Sequence, residues 1–587
     1  MLKVVTNHIG YDFNKPKHAV IVADSKLASV DYKLVDADNG STVSSGKAIY
    51  SGPVDKWKNW QFWTIDFSNF TKEGNYKIEV VTPGKTVSSY PFTIGRNVLE
   101  RNTISDVVYY FKGQRSSGLL DKADHQLHFS GGKTDSTVDA HGGWYDATGD
   151  YGKHLSHLSF SIYFNPQQIS LTAWSLFKTY EYLAAKPGTD YRQYMRRILD
   201  EAMYGADYLT RMQVKNGSFY RSVGAPGPGK LPKDRSIQPD EGSYRIKQNK
   251  DQSFTKNTEA NPLKSYLASY RSGGGLAIAA LAMASTYPVS GDYSNADYLK
   301  AAENAFAFLE KQNPAIDYDG KENILDDYCA LTAATELYKV THKAVYKTAA
   351  DKRTMNLLKR LSSWKSYKNY WRADDKDRPF FHPSDAGLPV VSLLYYYRYA
   401  SADLQKSIKS AVKSSMEYEL SITHEVNNPF GYSRQLVQDT LGNRRSAFFF
   451  PHGSEASPWW QGENARLSSM ASAAKLAAIT FKDDTAFSNK LQSFAADQLN
   501  WTLGLNPYNA CMLQGTGHNN PAYGFFGTFE YTNAPGGIVN GITSGFENEN
   551  DIDFNLPYSQ THKDADWRWA EQWLPHTAWF LLAVSMP

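Results

Sequence analysis

The residues best suited to chemistry lie in one short run, HGGWYDATGDYGKHL, at positions 141–155. Asp146 and Asp150 stand four positions apart in it, among Gly142, Gly143 and Gly149. Glycine reaches backbone angles closed to other residues, so the run reads as a sharp loop. Two carboxylates on one loop can hold a water molecule and take its proton. Aspartates in turns also cap nearby N–H groups, and spacing alone leaves both roles open. A second group of residues suits sugars. The chain carries 39 Tyr, 29 Phe and 14 Trp, and pyranose rings lay their C–H faces on aromatic rings. Trp459 and Trp460, in PHGSEASPWWQGENAR, are a candidate stacking pair, with Glu463 in the same candidate site. Asp124, His125 and His128 have a spacing that metal ligands can have. The reading nevertheless expects no metal and no cofactor.

Composition removes several function classes. The 63 basic and 60 acidic residues leave a net charge of +3 with no basic cluster, so no nucleic-acid partner is expected. No stretch approaches 18 apolar residues, so no membrane span is expected. Cys329 and Cys511 are the only cysteines and make no disulfide framework. The opening MLKVVTNHIGYDF lacks the apolar run of a signal peptide and reads as a strand. A reduced, cytoplasmic protein is the expectation; its oligomeric state is not legible.

Two kinds of element must position these residues. Residues 1–96 hold short β-rich runs (AVIVAD, DYKLVDAD, QFWTIDF, YKIEVV) separated by turn signals such as Asn39-Gly40, Gly74-Asn75 and Pro83-Gly84. Such a pattern predicts a small all-β sandwich. Residues 97–587 change to helical periodicity, with Ile104, Val107, Val108 and Phe111 as the first stripe and about twelve helices in all. Twelve helices in antiparallel pairs can close into a double ring of six inner and six outer. Long Gly-, Pro- and aromatic-rich segments at 121–165, 214–265, 365–388, 424–462 and 505–565 separate them and are expected to wall a cleft.

The run GGWYDATGDYGKH resembles the signature of glycoside hydrolase family 9, where Gly-Gly-Trp precedes a paired-aspartate loop and Tyr-Gly-Lys. NHIGYDFNKPKHAVIV resembles the opening of that family's immunoglobulin-like domain. EAMYGADYLTRMQ and LGLNPYNACMLQGTGHNNP resemble two later family segments. The resemblance implies a multidomain chain: an immunoglobulin-like β-sandwich followed by an all-α (α/α)6 toroid. It implies inverting hydrolysis of β-1,4-glycosidic bonds, which needs a base and an acid on opposite sides of the bond.

On that resemblance, Asp150 is the expected base, because Tyr151-Gly152-Lys153 follows it as in the family, and Asp146 orients the same water. Glu571, seven residues before Ala578, is the expected acid, in a segment with Trp567, Trp569 and Trp573. Apolar surroundings raise a carboxyl pKa and keep it protonated. Should Glu571 prove structural, Glu547 and Glu549 are the next acidic candidates. Tyr145, Trp567 and His518 join the substrate-binding set, His518 by its place in a family sugar-binding loop. The family loop usually reads Asp-Ala-Gly-Asp; Thr148 is inserted here, and Ala570 replaces the usual Asn before the acid. The two cysteines of the family's zinc site are missing at the matching places. The widened loop resembles a cytoplasmic branch acting on glucosamine oligomers, so exo-β-D-glucosaminidase action on chitosan oligosaccharides is expected. Asp139 is then the candidate partner for the sugar ammonium. An endo- or exo-β-1,4-glucanase is the alternative; a silent oligosaccharide-binding protein is the third.

Overall fold

The computed structural model describes the chain except residues 83, 131–135, 158–160, 189, 227–229, 240–245, 249–253, 257–264, 318, 458, 522, 527–528 and 555–565, and gives backbone alone at 246–248, 254–256, 523–526 and 529–531. The Pro83 turn signal and parts of the long segments lie outside the described residues.

The first unit is a two-sheet sandwich. Its strands are β1 (Leu2–Val5), β2 (Gly10–Asp12), β3 (His18–Ala23), β4 (Asp31–Asp36), β5 (Thr42–Lys47), β6 (Ile49–Gly52), β7 (Gln61–Asp66), β8 (Gly74–Thr82), β9 (Lys85–Ser88) and β10 (Phe92–Gly95). One sheet has the order β1-β3-β7-β6 and the other β2-β10-β8-β4-β5, with β9 paired to β8. Alternate residues face inward, so Val4, Ile21, Leu34, Trp63, Ile78 and Val80 form a core between the sheets. The chain leaves β10 at Gly95 and enters the first helix at Val98, whose N–H is held by the Asp12 carboxylate at 2.7 Å. This cap comes from the sandwich and ties the two units together.

The helices are α1 (Val98–Gln114), α2 (Gly118–Asp124), α3 (Ile169–Ala184), α4 (Arg192–Met212), α5 (Gly275–Ala284), α6 (Asn295–Ile316), α7 (Ile324–Thr341), α8 (Ala344–Leu358), α9 (Leu388–Tyr396), α10 (Ala402–Thr423), α11 (Asn464–Thr480), α12 (Thr485–Thr502), α13 (Trp567–Ala570) and α14 (Leu574–Ser585). Six of them, α3, α5, α7, α9, α11 and α14, pack each on the next, and α14 packs back on α3. Their composition explains the placement. Every residue of α5 and α14 is buried, so neither has a polar face to show to water. On these helices the hydroxyls of Ser175, Thr332 and Ser472 bond carbonyls one turn back, so these three leave no orphaned donor in the core. The remaining long helices flank the ring: α1 packs on α14, α4 on α3, α6 on α5, α8 on α7, α10 on α9 and α11, and α12 on α11.

Connections from an inner helix to the next outer one are short, while every long segment leads into the N-terminus of an inner helix. Successive inner helices therefore run the same way, and the long segments gather at one end of the ring. Trp57 of the sandwich packs on Phe430, Phe448, Phe449 and Trp501, seating the first unit on the second.

Candidate active site

The loop after Trp144 is closed on itself. The Asp146 N–H donates to the Gly152 carbonyl at 2.8 Å, and the Asp150 N–H to the Ala147 carbonyl at 3.1 Å. Gly149 sits at φ 87°, in the left-handed region, which lets the added residue fit within the turn. Gly143, at φ 74°, packs so tightly that a Cβ would lie 2.8 Å from the Tyr208 ring. Beneath the loop, Asp124 is fully buried between Lys153 at 2.6 Å and Arg235 at 2.9 Å. Asp124 is thus a structural counter-ion for the Tyr-Gly-Lys lysine and not a metal ligand.

The two aspartates differ in setting. Asp146 is buried, and its Oδ1 accepts from the Gln168 amide and from the Trp573 indole N–H, the latter at 3.1 Å. Burial pushes its carboxyl up to about 6 against the pull of those two donors. Asp150 keeps part of its surface in solvent although protein surrounds its carboxyl. Burial and then the Asp146 charge push it up to about 6, while the Gly152 N–H, His157 and Arg235 pull the other way. The Gly152 N–H reaches Asp150 Oδ1 at 2.9 Å. Each aspartate keeps its Oδ2 without a hydrogen bond among the described residues.

Glu571 is not at a helix start. It follows α13 and precedes α14 in extended backbone at φ −70°, ψ 133°. Its carboxylate accepts from Asn540 Nδ2 at 3.3 Å, and Asn540 also takes the Glu571 carbonyl on its backbone N–H at 2.7 Å. Asn540 supplies from a distant segment the support that Ala570 cannot. The Glu571 segment runs against the aspartate loop: Ala147 bridges Trp573, the Thr148 N–H donates to the Gln572 carbonyl at 3.0 Å, and the Leu574 N–H donates to the Asp146 carbonyl at 3.1 Å. Tyr110 reports the neighbourhood. Burial raises its phenol, and the charges of both Glu571 and Asp146 add to that.

Other expected site residues fall in several places. Trp459 packs edge-on to Phe164 at 4.3 Å and lies 6.4 Å from Trp567 and 6.3 Å from Trp573, in the aromatic wall beside the loop. Trp460 stacks on His452 at 3.9 Å, with the Arg568 guanidinium 4.2 Å from its ring. Tyr145 anchors the loop, its hydroxyl accepting from the Ser117 N–H at 3.0 Å. Glu463 corrects the expectation: its oxygens are taken by Gln435, the Phe450 N–H and Arg466, so it pins the strand pair Gln435–Gln438 and Arg444–Ala447 to α11 and has none left for a sugar. His518 also lies elsewhere, stacked on Tyr90 of the sandwich at 3.9 Å. Glu549 is engaged by Arg445 at 2.7 Å. Asp139 binds His141 at 2.7 Å and His125 at 3.5 Å. His125, Asp139 and His141 gather their ligand atoms within 4.8 Å of one another. This set is largely exposed and lacks the fourth donor of a closed structural zinc site among the described residues. Sequence reading missed Gln168, Trp573 and Asn540 as partners of the carboxylates. No motif marks them, because each meets its carboxylate only through the fold.

The family model described as Glycosyl hydrolase family 9 matches residues 101–545, and that described as Cellulase N-terminal ig-like domain matches residues 2–85. Endoglucanase C of Cellulomonas fimi is 25% identical over 255 residues, which is 37% of this chain and 21% of that protein. The chain thus spans about a fifth of the length of the curated relative it matches. A metagenome-derived family 9 endoglucanase of known structure superposes with TM-score 0.63 at 18% identity, over 100% of this chain and 98% of its own. A family 9 protein of Bacteroides ovatus does so with TM-score 0.63 at 19% identity, over 99% and 98%. At such identities the structural likeness bears on fold.

Proposed function

The chain belongs to glycosyl hydrolase family 9, and we propose that it hydrolyses β-1,4-glycosidic bonds of oligosaccharides with inversion. The observation that carries this reading is the backbone lacing of the Asp146/Asp150 loop to the segment bearing Glu571. Asp150, partly in solvent and with one oxygen unbonded among the described residues, holds and deprotonates the attacking water. Glu571, supported by Asn540, protonates the leaving oxygen. The closed ring of six inner helices serves as the inner layer of an (α/α)6 toroid that presents the site at one end.

For the sugar, the aspartate pair favours glucosamine. Two neighbouring carboxylates, each raised to about 6, bring negative charge together in the loop, which His157 and Arg235 counter at Asp150. An ammonium at C2 relieves that repulsion, and Asp146, with one oxygen unbonded among the described residues, is better placed for it than Asp139, which two imidazoles hold. The reading is exo-β-D-glucosaminidase action on chitosan oligosaccharides. The printed names of the relatives support a second reading, a β-1,4-glucanase. Reducing-sugar release from chitosan and cello-oligomers, measured side by side, separates the two. Faster cleavage of chitosan oligomers to monomer is expected; preference for cello-oligomers overturns the glucosamine reading. Cleavage of neither overturns hydrolysis and leaves a binding protein. No described helix is long and apolar enough to cross a membrane.

A further inference from the structure

We propose that Thr148 and Gln572 form a clamp that sets the placement of the aspartate loop against the Glu571 segment, Thr148 being a positioning residue for the reaction. The inference rests on the hydrolytic reading above.

Gln572 is fully buried and adjoins the acid in sequence. Its amide is held like a strand backbone: Nε2 donates to the Ala534 carbonyl at 2.7 Å, and Oε1 accepts from the Ala534 N–H at 2.7 Å. This pairing fixes which end of the amide is oxygen. The second lone pair of Oε1 accepts from the Thr148 hydroxyl at 2.8 Å. Thr148 Oγ1 in turn accepts from the Gln114 amide at 3.2 Å. The backbones repeat the connection, because the Gln572 carbonyl accepts from the Thr148 N–H at 3.0 Å and from the Tyr110 hydroxyl at 3.1 Å. A Cβ on Gly537 would fall 2.4 Å from Gln572 Nε2, so the amide packs directly against the Gly537 backbone.

Thr148, the residue that widens the loop, therefore joins loop and acid segment by its side chain, beside the link that the Trp573 indole makes to Asp146. It touches no reacting atom. It acts on the relative position of Asp150, two residues after it, and Glu571, one residue before Gln572. Small misplacements of a proton donor against its leaving group cost far more in turnover than in binding.

The test is Thr148→Val, which keeps the branched shape and removes the hydroxyl, with Thr148→Ser as the restoring variant. On the oligosaccharide, Thr148→Val is expected to lose about tenfold in kcat with KM changed less than about threefold, and Thr148→Ser to recover most of it. On a glycosyl fluoride, which needs little acid assistance, the loss should shrink below about threefold. Normal kcat in Thr148→Val overturns the clamp. So does an equal loss on both substrates that follows a fall in Tm and is not restored by serine. Asp150→Ala and Glu571→Gln, assayed beside it, report on the hydrolytic reading separately. Oligosaccharide turnover retained in both would sink that reading, whereas normal Thr148→Val turnover with both dead sinks the clamp alone.

Discussion

Asp146→Asn isolates the electrostatics of the site while keeping the side chain's shape. Asp150 sits at about 6 because of burial first and the Asp146 charge second. The substitution leaves burial in place and removes the charge. At an effective dielectric near 20, unit charges roughly 6–12 Å apart interact by ~1.4–2.8 kcal/mol, or one to two pH units. Two groups this close titrate as a pair, so the wild-type limb belongs to both. The base must be ionised to work, so kcat/KM should fall on acidification through about pH 6 in the wild type. In Asp146→Asn the free-enzyme carboxylate ionises more readily, and the acidic limb should move down by about one unit or more, even as the maximum falls. The assay is kcat/KM against pH from 4 to 8, on an uncharged activated substrate so that substrate ionisation does not intrude. An acidic limb unmoved at about 6 would refute the reasoning, because the titrating group would then not feel Asp146.

Three other outcomes are expected. Asp150→Ala should lower turnover by about three orders of magnitude with Tm retained, and azide should restore part of it; near-normal turnover would pass the base role to Asp146. Glu463→Ala should destabilise the fold by about 3–5 kcal/mol in urea titrations, because it leaves the buried Arg466 guanidinium without its carboxylate; a loss under about 1 kcal/mol would show the pair to be dispensable. Asp385 is fully buried, accepts from Ser384, Trp579 and the Gln167 N–H, and is pushed up to about 6 by burial. With its folded value above the unfolded ~3.9, it contributes most stability below pH 4 and loses that contribution as pH rises through 6, by ~3 kcal/mol. Asp385→Asn should flatten that part of the stability profile, and an unchanged slope between pH 4 and 6 would contradict it.

Much of the fold was legible because its signals are local. Period-two runs and turn pairs mark the sandwich, and apolar stripes mark the helices. The Asp146/Asp150 loop was legible for the same reason, since glycines and carboxylates share one short run. Glu571 was readable only through family resemblance, and its extended setting between α13 and α14 was not. Glu463 looked like a ligand residue because nothing local distinguishes a buried ion pair from a sugar contact. Gln435 and the Phe450 N–H, which engage it together with Arg466, come from the preceding segment. Asn540 and Gln572 were silent for that reason too. An amide becomes a supporting residue only when the ring closes and brings it to its partner, the Glu571 carboxylate for Asn540 and the Thr148 hydroxyl for Gln572.

The central claim is single-displacement hydrolysis by the Asp150–Glu571 pair, and the anomer released in the first minutes of a digest tests it most directly. Proton NMR of a fresh reaction on a β-1,4-linked oligosaccharide should show the α anomer appearing first and relaxing to the mutarotation equilibrium. The β anomer appearing first would mean retention through a covalent intermediate, with a carboxylate as nucleophile, and would contradict the assignment of Asp150 as a base acting on water.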